Sequence, residues 1–241
     1  MKRISFLLLS AVMCVFCLVS CGLGLKSSDK KKEDDITPKL IGMWRLENQE
    51  TVIEFLSESK AQIGTCTDIT SMLKFTSKGT VSLFGSQYGE NEFEFDGTEF
   101  YASKISANDI TMVKEEPSGK DDLFGRYRLK SGYLYDTIVS GYNSQADGEG
   151  VRKIEKSDIV VYIECDSSKT TLTAMLPLDI EIHGNSLFMD LSSITGDEKI
   201  GAMECKISGD KLTLTSTDNT LKFDRVKDGE EQNSAAKGKD V

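Results

Sequence analysis

The sequence predicts an all-β fold, an antiparallel meander that closes into a barrel, with little helix outside its first twenty residues. Three observations carry this prediction. Apolar residues recur with period two, the runs are broken by Asp-Gly, Gly-Asn and Asp-Asn turn signals, and one strand-like segment follows another at close spacing. An open meander would leave unpaired edges, and closure removes them.

In chain order, the first element stands apart from the fold. Residues 1–20 carry Lys2 and Arg3, then an apolar core from Ile4 to Leu18. Leu18-Val19-Ser20-Cys21 follows, and the whole resembles the signal peptide of a bacterial lipoprotein cut just before its cysteine. Cys21 is then the new N-terminus and the lipidation site, its acyl chains (palmitate or similar) anchoring the protein to a membrane. The competing reading, a transmembrane helix over Ile4–Leu25, is opposed by three cysteines, small residues at the cleavage point and the flexible Gly22-Leu23-Gly24. Gly22 follows the cysteine. In the lipoproteins this resembles, an aspartate there favours inner-membrane retention, so the resemblance implies the outer membrane of the cell envelope and leaves its face open.

Residues 21–39 form a lipidated N-terminus and flexible linker, with KSSDKKKEDDITP running from Lys26 to Pro38. Removing Lys2 and Arg3 with the first twenty residues, which hold no acid, takes the net charge from −10 to −12. That acidity argues against nucleic acid as a partner. It also gives the body no attraction to anionic lipid, so the acyl chains on Cys21 must do the tethering.

The folded region spans 40–226, and 227–241 is a disordered C-terminal tail. Gly42-Met43-Trp44 opens the first strand. Glu54–Ile63 and Leu191–Ile200 are the thin helical candidates, neither with a sustained three-to-four spacing of apolar residues. Hairpins are predicted where Phe93 and Phe95 lead through Asp96-Gly97 to Phe100, and where Arg128-Leu129 lead through Ser131-Gly132 to Tyr133 and Tyr135. Others join Ile180 and Ile182 through Gly184-Asn185 to Leu187, and Leu212 and Leu214 through Asp218-Asn219 to Leu221 and Phe223. Lys114–Asp122 and Tyr142–Gly150 read as exposed loops, and Pro38, Pro117 and Pro177 sit beside loop candidates or strand ends.

Chemistry-bearing patterns are sparse. Cys14 and Cys17 leave with the signal peptide and Cys21 is acylated, leaving Cys66, Cys165 and Cys205. Cys165 and Cys205 are the favoured disulfide pair, the alternative being three buried reduced thiols. No metal ligand set stands out. The single histidine, His183, cannot build a multi-histidine site, and no serine elbow accompanies it. Asn143–Gly148 imitates the start of a calcium loop, but its twelfth position is Ile154 rather than glutamate, so a solvated loop is expected. Phe93, Phe95, Phe100, Tyr127, Tyr133 and Tyr135 are the aromatic candidates to line an apolar pocket, with simple core packing as the alternative.

Gly42-Met43-Trp44 in the first strand and Arg225 in the last, within Leu221-Lys222-Phe223-Asp224-Arg225, resemble the lipocalin and calycin pattern. There a Gly-x-Trp opens the barrel and a late arginine packs across the indole. The closing run from Gly209 to Arg225 also looks like the end of lipocalin-like lipoprotein domains of Gram-negative bacteria. The resemblance implies a lipocalin-like barrel in which Gly42, Trp44 and Arg225 are a structural signature. It implies a non-enzymatic, cofactor-free envelope lipoprotein that binds a small apolar ligand or a protein partner. The alternative is a filled barrel with a structural or interaction role and no small-molecule ligand.

Overall fold

The computed structural model describes residues 36–75, 81–83, 93–102, 110–146, 151–192, 200–217 and 219–226. Residues 1–20, expected as a signal peptide, Cys21, the expected linker before Ile36, most of the Leu191–Ile200 helix candidate and the expected tail after Val226 lie outside the described residues.

A short helix α1 (Thr37–Leu40) leads into β1 (Gly42–Leu46), β2 (Thr51–Phe55) and β3 (Lys60–Asp68). The middle of the chain forms β4 (Leu73–Phe75), β5 (Val81–Leu83), β6 (Phe93–Phe95), β7 (Glu99–Ala102), β8 (Ile110–Lys114), β9 (Gly125–Gly132), α2 (Tyr133–Ala146) and β10 (Val160–Cys165). It ends in β11 (Thr170–His183), β12 (Ser186–Asp190), β13 (Ile200–Ser208), β14 (Lys211–Thr215) and β15 (Thr220–Arg225). β11 to β15 and β1 to β3 follow one another as neighbours, and β3 pairs back with β11. The result is an eight-stranded antiparallel closed barrel, the fold class the sequence predicts.

The chain divides into two compact units. The first holds, of the described residues, those within 36–64, 151–152 and 176–226 and contains the barrel ring. Its register places one set of side chains on a common face, because residues directly opposite in antiparallel strands point the same way. Trp44 stands opposite Arg225 and Ile53, and Leu46 opposite Phe223. Phe223 stands opposite Leu212, Leu214 opposite Cys205, Met203 opposite Leu187 and Met189 opposite Ile180. Apart from the half-buried Arg225, all of these are buried. This is the interior.

The second unit holds 65–146 and 153–175. Its strands run β11, β10, β9, β8, β7, β6 in order, with β4 and β5 as a separate hairpin. Ile163, Tyr127, Lys114, Met112, Phe100 and Phe95 share one face through successive pairings. β3 and β11 supply residues to both units, Lys60–Gly64 and Leu176–His183 to one, Thr65–Asp68 and Thr170–Met175 to the other. Residues 61–67 and 170–176 are buried on both strand faces, which is why neither run alternates in sequence.

Four expectations are corrected. Ser131-Gly132 does not turn a hairpin; β9 ends there and α2 begins. The spacing of Leu134, Ile138, Tyr142 and Ala146 is a four-residue helical stripe, all of it buried, and it overrides the apparent period two of Tyr133 and Tyr135. Tyr142–Gly150 is accordingly no exposed loop at its start: Tyr142 is fully buried, and Asn143 uses both ends of its amide on the main chain of Ile154. Glu54–Ile63 forms the end of β2, a turn and the start of β3 rather than a helix. Pro177 lies inside β11, between the last residue paired with β10, Met175, and the first paired with β12, Asp179. A missing N–H is tolerated where the ladder changes partner.

Candidate functional site

The barrel's signature residues meet at one point. The Arg225 guanidinium lies 4.1 Å from the Trp44 ring centroid, and Trp44 is fully buried. Nη1 of Arg225 donates to the Ile41 carbonyl at 2.9 Å and Nη2 donates to that of Lys39, while Trp44 Nε1 donates to Leu40 O at 2.8 Å. The last carbonyls of α1 and its C-cap, which a helix end leaves unpaired, thus find their donors in the barrel. Gly42 has a φ of +115°, and a Cβ there would stand 3.1 Å from Arg225 Nη1. Glycine answers both demands.

Four of the six aromatic candidates come together in the second unit, joined by Phe75, which sequence reading missed. Phe93 stacks on Phe100 at 5.4 Å, Phe75 lies 5.6 Å from Phe100 and 6.0 Å from Tyr127, and Phe95 meets Tyr127 edge-on at 6.1 Å. Such offset and tilted pairs are the favourable geometries for rings. Tyr133 and Tyr135 do not join them. Tyr133 is exposed, and Tyr135 is held by its hydroxyl against the carbonyls of Lys156 and Ile159 at 2.7 and 2.8 Å.

The cluster includes a charge. Lys114 is 4% exposed, and its Nζ lies 5.8 Å from the Phe95 ring and 5.9 Å from that of Tyr127. The ammonium donates to Ser118 Oγ at 2.6 Å, to Asp122 O at 2.8 Å and to Asp122 Oδ2 at 3.2 Å. It holds the Asp122 carboxyl below its ordinary range, while burial pushes the Tyr127 phenol up. The Lys114–Asp122 segment is therefore an exposed loop with a buried first residue. The signal was available in β8, where Ile110, Met112 and Lys114 alternate onto one face.

Cys66, Cys165 and Cys205 are free, buried thiols, so the expected Cys165–Cys205 bridge is absent. Cys165 directs its Sγ at the carbonyls of Leu123 and Gly125, and Cys205 pairs with Leu214 across the barrel wall. Both lie in strands, but β10 and β13 do not adjoin. Burial pushes each thiol up to about 12. His183 is exposed, 3.3 Å from Glu181 and 5.5 Å from the Phe188 ring centroid. Among the described residues no cluster of His, Cys, Asp and Glu could hold a metal, and no helix is long and apolar enough to cross a membrane. No protein-family model, curated protein or solved structure matches this chain.

Proposed function

We propose that this protein is a lipid-anchored component of the bacterial cell envelope, most consistent with the outer membrane. On this reading it is non-enzymatic, and its lipocalin-like barrel is a packed scaffold that presents surfaces and loops to a partner. The observation that carries the scaffold reading is the interior itself. Trp44, Phe223, Met203, Met189, Leu187, Leu212 and Leu214 all point into an eight-stranded ring and are at most 2% exposed. A ring of eight strands is just wide enough for side chains to fill. The barrel geometry at Gly42, Trp44 and Arg225 supports kinship with the lipocalin pattern, and Leu18-Val19-Ser20-Cys21 supports the anchor.

The scaffold reading is tested with Trp44, the chain's one tryptophan. Titration with dodecanol, which neither absorbs nor emits near indole, should leave its emission wavelength and intensity unchanged. A saturable change would place a ligand in the barrel and overturn the reading.

A further inference from the structure

We propose that the aromatic cluster around Lys114 binds a small apolar carboxylate. The ligand's anionic head takes the place of Asp122 on the ammonium, and its body lies against Phe93 and Phe95. This site is in the second unit and depends neither on the anchor nor on the barrel interior. The inward positions of β8 run Ile110, Met112, Lys114, so a cation stands where an apolar side chain would pack most simply. Taking an ammonium out of water is costly unless it is paired and hydrogen-bonded. The surroundings are shaped to accept it: Gly125 has a φ of +127°, and a Cβ there would press to 3.0 Å from Lys114 Cε.

Among the described residues, the three acceptors of Lys114 come from Ser118 and Asp122, in the exposed loop rather than the sheet. Among the described residues Asp122 is its one carboxylate at ion-pair distance. With its side chain 56% exposed, Asp122 can return to water at little cost, and this makes it an exchangeable partner. Lys114 Nζ supplies the charged donor for an incoming carboxylate, and the Ser118 hydroxyl, 2.6 Å from it and donating to Asp122 O at 3.1 Å, supplies a second by turning from that carbonyl to the ligand. Phe75, Phe100 and Tyr127 are fully buried, but Phe93 and Phe95 on β6 are only half-buried, leaving ring surface beside the ammonium for an apolar body. A cationic ligand would be repelled, and a neutral one would leave the displaced ammonium without its counter-charge.

The test is calorimetric titration of the full-length protein with 4-phenylbutyrate and with 4-phenylbutanol, which has the same body without the charge. The acid should bind at least about tenfold more tightly than the alcohol. Lys114→Met should abolish that preference. Asp122→Asn removes the competing carboxylate and keeps its main-chain acceptor, so the acid should gain about two- to fivefold and the alcohol nothing. Amide shifts on acid binding should fall within 93–102 and 112–127, a readout that does not depend on Lys114→Met folding. Equal binding of acid and alcohol, weaker acid binding by Asp122→Asn, or no binding at millimolar acid would make Lys114 a loop staple only and overturn the proposal.

Discussion

Arg225→Met removes the donors and the charge of the barrel's signature arginine while keeping a flexible apolar stem over the indole. The wild-type side chain gives two hydrogen bonds to main-chain carbonyls, of Ile41 and Lys39, and lies 4.1 Å from the Trp44 ring centroid. At about 1 kcal/mol net for each bond at this half-buried position, and about 1 kcal/mol for the cation over the ring, the loss should be about 3 kcal/mol. Urea unfolding followed by Trp44 fluorescence should show a lower midpoint with an unchanged slope. A double-mutant cycle with Trp44→Leu, followed by far-ultraviolet circular dichroism, removes the ring from under the guanidinium and should give a coupling of about 0.5–2 kcal/mol. A total loss below about 0.5 kcal/mol would refute the assignment of that stability to the two carbonyl bonds and the stack on Trp44.

Gly42→Ala should cost about 1–3 kcal/mol, because alanine is strained at a φ of +115° and its Cβ would crowd Arg225 Nη1; stability within 0.5 kcal/mol (about the scatter of an indifferent surface change) would count against it. Asn143→Ala should cost about 1–2 kcal/mol by leaving the Ile154 N–H and carbonyl unpaired, read by urea unfolding and by faster amide exchange at Ile154. The three free thiols should resist a disulfide exchange reagent at pH 8 until urea unfolds the chain, and prompt native labelling would contradict their burial. The thiols of Cys165 and Cys205, raised to about 12 from 9.0, also set a pH dependence. Above pH 9 the unfolded chain ionises while the folded thiols keep their protons. Their contribution is therefore full below pH 9 and lost toward pH 12, by up to about 4 kcal/mol for each thiol. The double variant Cys165→Ala, Cys205→Ala should flatten that decline.

The legible parts of the fold were those where one face meets the core and the other meets water. Leu212 and Leu214 against Leu221 and Phe223, and Ile180 and Ile182 against Leu187, declared their hairpins because alternation survives such an arrangement. Trp44 and Arg225 were readable as a pair through the resemblance to the lipocalin pattern, with which the alternation of their strands agrees. β3 and the first half of β11 were not, since burial on both faces erases the alternation that marks a strand. For the same reason nothing in the sequence marked where the second unit begins. α2 was hidden by its own residues: Tyr133, Tyr135, Thr137 and Val139 favour strands locally, and the buried stripe from Leu134 to Ala146 outweighs them. Of the six aromatic candidates for a pocket, Phe93, Phe95, Phe100 and Tyr127 meet in ring contact, while Tyr133 and Tyr135 do not join them. Lys114 was passed over as the start of a loop although its alternation with Ile110 and Met112 pointed inward.

The central functional claim is the anchor, and Cys21→Ser tests it most directly. Cells expressing the native chain and given a clickable palmitate analogue should yield labelled protein in the membrane fraction. The Cys21→Ser chain should carry no acyl label and lose its acyl-dependent retention there. Persistent acylation of the Cys21→Ser chain, or a native chain that is unlabelled and fully released by salt washing, would contradict the account.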